Sequence, residues 1–439
     1  MSEDAAVTEA APSRGSLGVR QAAFIGVGAM VGAGIFSLLG AAGEVAGAAV
    51  WVSFLLAGIV AMLQGYSFAK LGARFPSSGG FIEYVVRGYG NGHIAGIIAW
   101  LTFGVNAIIT AMVAVSFGSY ASAAFSDGGE TATKAFAVLV VAAMTVLNLL
   151  GSRAVARTQT LVVIVVIGIL TVFAITTLAN LDPELLAPSG YPSLRHIISS
   201  VALTFFAFLG FGVITFTSGE LRDPARMLPR AVYLALGIAT VIYIAVALGV
   251  FGTLTVQEVI DSGGTALAVA AQPVLGDAGY TLMTITALFA TAGATNAGLY
   301  PAIGLSEHVV SIGQFPPVLA HRLGERAPIG LLLTALIAIV LAVFFDLSAI
   351  ASLGSAVALI LFSFISAGHL RIRAETGARA WLLLLAIGTA VVVLIAFAFT
   401  TLVEEPSTTV ALIAILLLSV ILDAWWKRAR GAPRTPAAA

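Results

Sequence analysis

The groups in this chain best suited to chemistry are backbone groups, released by glycine in two apolar stretches. The first runs from Gly26 to Phe36 as GVGAMVGAGIF, with glycine at 26, 28, 32 and 34. The second runs from Thr204 to Gly212 as TFFAFLGFG. Each glycine costs about 1 kcal/mol relative to alanine inside a helix, so four in one apolar helix need a purpose. Gly28 and Gly32 have the GxxxG spacing of close helix packing; the alternative is that the helix unwinds. Unwinding at membrane depth is tolerable only where the freed N–H and C=O groups line a cavity. Amides around Ala33, Gly34 and Ile35 would then lie at a half-helix N-terminus, which favours a carboxylate. Carbonyls from Phe206 to Leu209 would accept from an ammonium. Together the breaks make a receptor for the zwitterionic head of an amino acid, with no charged side chain.

Other reactive groups are sparse. There is no cysteine, which excludes disulfides, thiolate metal sites and thiol catalysis. The five histidines (His93, His196, His308, His321 and His369) stand singly, without ligand spacing. Paired carboxylates at depth and a GxSxG motif are absent too, so an embedded enzyme is disfavoured and no cofactor or metal is expected. Glu220, with Arg226 or Arg230, suits a structural or gating ion pair. Asn106 lies mid-span and reads either as a pocket residue or as an interhelical hydrogen bond.

The elements that must position these groups are membrane helices. Of 439 residues, 59% are hydrophobic and 10% charged, against roughly 25% charged in soluble domains. Apolar runs of about 20 residues fit helices spanning a bilayer, not alternating strands. Twelve spans are expected, near 21–43, 47–69, 93–124, 134–151, 158–179, 197–218, 230–253, 277–304, 327–345, 348–369, 380–402 and 407–426. The chain is thus an all-α membrane protein. Residues 1–18 and 428–439 read as disordered cytoplasmic tails. With both ends cytoplasmic, 19 of the 21 basic residues fall inside, all but Lys134 and Arg195. Arginine outnumbers lysine 18 to 3, a bias of GC-rich bacterial genomes, so the expected location is a bacterial plasma (inner) membrane. The glycine breaks head the first five helices and the next five, the mark of an inverted-repeat transporter. Residues 19–373 would form that 5+5 core, and 374–427 two further helices.

Four motifs in order resemble the amino acid–polyamine–organocation (APC) superfamily, from about Gly18 to Arg373. Gly28 to Phe36 is similar to its first-helix GxxxGxGIF. Pro76 to Tyr84 (PSSGGFIEY) is similar to its P-x-x-GG-x-Y-x-Y loop, with Phe81 and Glu83 as departures. Phe206 to Phe211, followed by Gly219 to Arg230 (GELRDPARMLPR), resembles helix six and its loop. Ala292 to Ala297 (AGATNA) resembles the start of the helix-eight motif.

The resemblance implies a LeuT-like fold carrying amino acids or related amines. It places Ala33 and Gly34 on the substrate carboxylate, Phe206 as gate or lid, and the Leu209 carbonyl on the amine. Met30, Ile35 and Gly210 flank these positions, and Asn106 joins because family pockets draw on helix three. Thr295 and Asn296 fall where sodium-dependent relatives place ion ligands; the plainer reading is a backbone bond for Thr295 and helix packing for Asn296. Gly212 replaces a common acid and helix five has Val166 and Ile167 where some proton-coupled members have lysine, so Na⁺ or H⁺ coupling stays open. A pocket of Phe103, Asn106, Phe206 and Leu209, with Ser355 as a gate candidate, lacks a carboxylate for a cationic side chain. The expected substrate is therefore a neutral amino acid. The alternatives are a potassium-type or amine transporter, or a sensor that binds without transport. The expected partners are this small molecule and lipid, with no nucleic acid, in a monomer or homodimer.

Overall fold

The computed structural model describes residues 17–77, 79–126, 128–150, 153–323, 327–400, 403 and 406–431. Its helices are α1 (Val19–Ala33), α2 (Leu39–Ala46), α3 (Val50–Arg74), α4 (Phe81–Tyr89), α5 (His93–Phe125) and α6 (Glu130–Leu150). They continue as α7 (Arg153–Ala179), α8 (Leu194–Phe206), α9 (Val213–Phe216), α10 (Pro224–Phe251), α11 (Val256–Ser262) and α12 (Ala266–Ser311). The last are α13 (Ile329–Phe344), α14 (Leu347–Arg371), α15 (Arg373–Thr376), α16 (Ala380–Ala398) and α17 (Pro406–Gly431). A two-residue antiparallel pair, Arg322–Leu323 with Ala327–Pro328, is the sheet content among the described residues.

By length and composition, nine described helical stretches can cross a bilayer, and a tenth if α8 and the segment Leu209–Phe216 count as one bent span. The apolar helices α1 and α13 are shorter. Large apolar side chains on α7, α16 and α17, among them Leu161, Val172, Ile175, Val392, Ile395, Ile413 and Leu417, are exposed. Such a belt is tolerated against lipid and not against water.

Several sequence boundaries shift. The 21–43 stretch is broken: α1 stops at Ala33, α2 covers Leu39–Ala46, and a turn through Gly47 (φ 54°) leads into α3. α12 is two helical segments joined across Gly276, whose φ of 67° suits a residue without Cβ, so the expected start at 277 is that of the second segment and a further segment from Ala266 precedes it. α13 and α14 are separate because Asp346 caps α14, its Oδ1 accepting the Ala349 N–H at 2.7 Å. The last helix continues to Gly431, so residues 428–431 of the expected tail are helical; 432–439 lie outside the described residues, as do 1–16.

α3 packs along α10, α5 packs against α6, α12 and α13, and α1 lies against both α10 and α12. Small residues permit the contacts: Gly58 and Gly65 of α3 leave room for Thr240 and Leu236 of α10, and Gly298 of α12 for Thr110 of α5. Both described chain ends lie at one end of the bundle. Leu17 N–H donates to the Glu220 carbonyl (3.2 Å), and Ser77 N–H to Ser218 Oγ (3.0 Å). Glu83 Oε2 is 3.7 Å from His308 Nε2, and Trp426 Nε1 donates to the Gly313 carbonyl at 3.0 Å.

The loop helix α4 is held to α14 by backbone approaching backbone. A Cβ at Gly88 would lie 2.8 Å from the Gly368 backbone, and Tyr89 Oη donates to the Phe364 carbonyl at 2.8 Å. Gly88→Ala should therefore lower the melting temperature. The overpacking cost of about 1–3 kcal/mol outweighs the propensity gain of about 1 kcal/mol. A raised melting temperature in detergent would show that α4 is not seated this way.

Candidate functional site

The two glycine-rich stretches are broken helices, and they touch. In the first, the Gly34 N–H closes the last turn of α1 on the Met30 carbonyl at 3.0 Å. Ser37 and Leu38 N–H groups both return to the Gly34 carbonyl (3.3 and 3.1 Å), and α2 starts at Leu39. In the second, α8 ends at Phe206, a 3-10 turn covers Leu209–Gly212, and the axis bends by 43° into α9.

Glycine is required where the breaks meet. A Cβ at Gly34 would lie 2.2 Å from Ala207 Cβ, and one at Gly210 only 2.5 Å from the Met30 nitrogen. Backbone thus rests on backbone. The neighbouring glycines serve packing: Gly28 admits Val163 of α7, and Gly32 lies against Ala290 and Ala294 of α12. Both sequence readings of the glycines hold, each for its own residues.

Unwinding strands polar groups, and two buried tyrosines take up two of the carbonyls. Tyr243 of α10 donates to the Ala207 carbonyl at 3.0 Å, and Tyr120 of α5 to the Phe36 carbonyl at 3.1 Å. Neither is visible as a site residue in sequence, because each lies far along the chain within an apolar helix. Phe206 is the last residue of α8, so its carbonyl lies at the C-terminal end of that helix, where the break begins. The Phe206 ring is buried and fills the room left by Gly354 of α14, where a Cβ would be 2.3 Å away, beside Ile108 of α5.

The polar lining is incomplete. Asn106 is 8% exposed and its Nδ2 has no partner, as is true of the hydroxyls of Ser37, Ser352 and Ser355. Buried polar groups are nearly always bonded, so each of these groups is open to a further partner.

Other expected residues fall differently. Ala33 and Gly34 belong to the hydrogen-bonded end of α1, so the turn opens at Ile35, later than expected. Thr295 donates to its own Thr291 carbonyl at 2.8 Å. Asn296 Oδ1 accepts from Asn148 Nδ2 of α6 at 2.7 Å, so that side chain meets α6 instead of the first break. Val166 lines an apolar gap of about 10 Å³ against Gly28 and Gly32, near the lower limit for one water. Arg226 pairs with Asp223 (3.9 Å) and not with Glu220, which contributes its backbone carbonyl to Leu17. The contacts that do close this end include one departure from the expected loop pattern, Glu83, through His308.

Comparisons with known proteins agree with this architecture. The amino acid permease family model matches residues 17–422. The inner membrane transport protein YbaT of Escherichia coli (strain K12) is 33% identical over 94% of this chain and 96% of its own. The methylthioribose transporter of Bacillus subtilis (strain 168) is 26% identical over 78% of this chain and 77% of its own. The branched-chain amino acid permease BcaP of the same organism is 26% identical over 53% of each. The chain belongs to the amino acid permease family, within the APC superfamily, and is a multi-pass membrane transporter.

Tyr120→Phe and Tyr243→Phe each leave a buried carbonyl unpaired, at about 1–3 kcal/mol. Both variants should melt at lower temperature than the parent protein in detergent. Unchanged melting of both would mean that these hydroxyls do not hold the unwound segments.

Proposed function

We propose that this amino acid permease family member is a secondary transporter of neutral amino acids, working by alternating access. The observation that carries the reading is the backbone contact between the breaks, Gly34 on Ala207 and Gly210 on Met30, beside the C-terminal end of α8. An ammonium fits the carbonyl end of α8, and a carboxylate fits the amides that open at Ile35. The surroundings are apolar, from Phe206, Leu209 and Ile108. A substrate bearing a second charge would lie there uncompensated.

The same reading makes the chain a 12-helix protein with a 5+5 inverted repeat and two added helices, both termini cytoplasmic, in a bacterial plasma membrane. Its support is the pairing of helices by rank: α3 packs along α10 and α5 along α12, as elements related by a two-fold axis would. Each half also begins with its broken helix. Thin layers close the path at both ends. At one end Leu17 bridges to Leu221 and Glu83 meets His308; at the other a Cβ at Gly40 would lie 2.7 Å from the Gly263 carbonyl. Opening either layer alone gives access from one side.

The relative named for methylthioribose supports a second reading, a neutral solute without an ammonium. Reconstituted protein preloaded with labelled leucine separates the two. Under the first reading unlabelled alanine, leucine and isoleucine drive counterflow, and lysine, putrescine and methylthioribose do not. Faster exchange with any of the last three would overturn it. Because Thr295 and Asn296 are bonded to Thr291 and Asn148, replacing Na⁺ by choline should leave uptake unchanged. Loss of uptake in choline would return these two residues to an ion site.

A further inference from the structure

Three lysines stand among 18 arginines in this chain. Lys134 pairs with Glu130 and Lys427 with Asp423. Lys70, half-buried near the end of α3, forms no ion pair among the described residues. It lines a cavity of about 380 Å³ between α3, α10 and α15, with Tyr66, Arg74, Pro229, Tyr233 and Glu375.

The lining is ordered by helical spacing. Tyr66, Lys70 and Arg74 recur every four residues on α3, as do Pro229 and Tyr233 on α10, so each helix turns one face to the cavity. Arg74 lies near the Phe75 ring (5.9 Å) and makes no ion pair among the described residues. Tyr66 Oη accepts the Arg379 N–H at 2.8 Å, which leaves its own proton to donate. The one acid, Glu375, is exposed at the rim. Two cations and a hydroxyl donor against one solvated carboxylate favour an anion.

Continuing the α3 face away from the basic end leads to exposed apolar side chains, Leu55 and Ile59, 37% and 46% exposed. A free phosphate has no use for such a track, whereas an acyl chain does. Tyrosine at the level of the charges is usual at a membrane interface.

We propose that this cavity binds an anionic glycerophospholipid, its phosphate held between Lys70 and Arg74 and its acyl chains laid along Leu55 and Ile59. Basic pockets between membrane helices are suited to such headgroups. The assignment to the cytoplasmic leaflet rests on the orientation proposed above; the site does not. A lipid seated there links α3 and α10, which carry the first break with α1, to the α14–α16 connection through α15.

Native mass spectrometry of the detergent-purified full chain tests the site. Separate titrations use dioleoyl phosphatidylglycerol, dioleoyl phosphatidylcholine and inorganic phosphate. Phosphatidylglycerol should bind, phosphatidylcholine should bind at least tenfold more weakly, and millimolar phosphate should not displace the lipid. Lys70→Ala and Arg74→Ala should each weaken phosphatidylglycerol binding about fivefold, and Glu375→Gln should strengthen it. Arg428→Ala, on α17 away from the cavity, should change nothing. Equal binding of the two lipids, or an equal loss in Arg428→Ala, would overturn the proposal in favour of general surface attraction. Displacement by phosphate would overturn it in favour of a free-anion site. If Lys70→Ala does not elute as a single species on size exclusion, the exposed Glu375→Gln still decides: no gain in binding rejects the site.

Discussion

Every backbone N–H and C=O within a bilayer must find a partner inside the protein. That requirement governs the placement of nearly everything else here. Unbroken helices such as α5 and α14 meet it internally and can be apolar all round. The two broken helices cannot, so each break is set where other groups reach it. Tyr243 and Tyr120 supply hydroxyls, the breaks lie on one another, and α12 presses from the side against Gly32. On the function proposed above, what remains unpaired, the amide of Asn106 and the hydroxyls of Ser37 and Ser355, is what a substrate would use. Binding capacity is therefore the residue of an otherwise complete pairing, and no charged side chain is needed to provide it.

Glycine does two jobs in this scheme. At Gly34 and Gly210 it lets one main chain approach another, where any side chain would enter backbone atoms. At Gly28, Gly32, Gly58 and Gly298 it lets helices pack closely, which in lipid replaces much of the hydrophobic drive available in water. Phe206 connects the site to the scaffold. Its ring lies against Gly354 of α14, so a ligand that moves the ring also changes the contact between α8 and α14. A shift of that kind is how a small ligand can bias a pair of packed arrangements.

Much of this was legible from residue order. The apolar runs locate the helices, because a bilayer fixes their length. The glycine clusters locate the breaks, because glycine inside an apolar helix is otherwise costly. The long-range partners were not legible. Tyr120 and Tyr243 look like ordinary apolar-helix residues until the fold brings them to Phe36 and Ala207, 84 and 36 positions away. Asn148 gives no sign in sequence that it meets Asn296, and the motif alone pointed Asn296 toward the first break. The opening at Ile35 instead of Ala33 was also hidden, since the register of a helix end depends on which carbonyl its last amides reach. Glu83, visible as a departure from the loop pattern, had no assigned role until His308 was found beside it.

The central claim is that substrate binds where the two breaks meet. The absence of native cysteine makes that directly measurable, because one introduced thiol is the only one present. Ser37 is 1% exposed, follows the first break, and has an unpartnered hydroxyl, so Ser37→Cys is a near-isosteric probe. Its rate of modification by a small thiol reagent in proteoliposomes should fall severalfold when a transported neutral amino acid is present at saturation. An unchanged rate, with transport by Ser37→Cys intact, would contradict the account and place the substrate elsewhere.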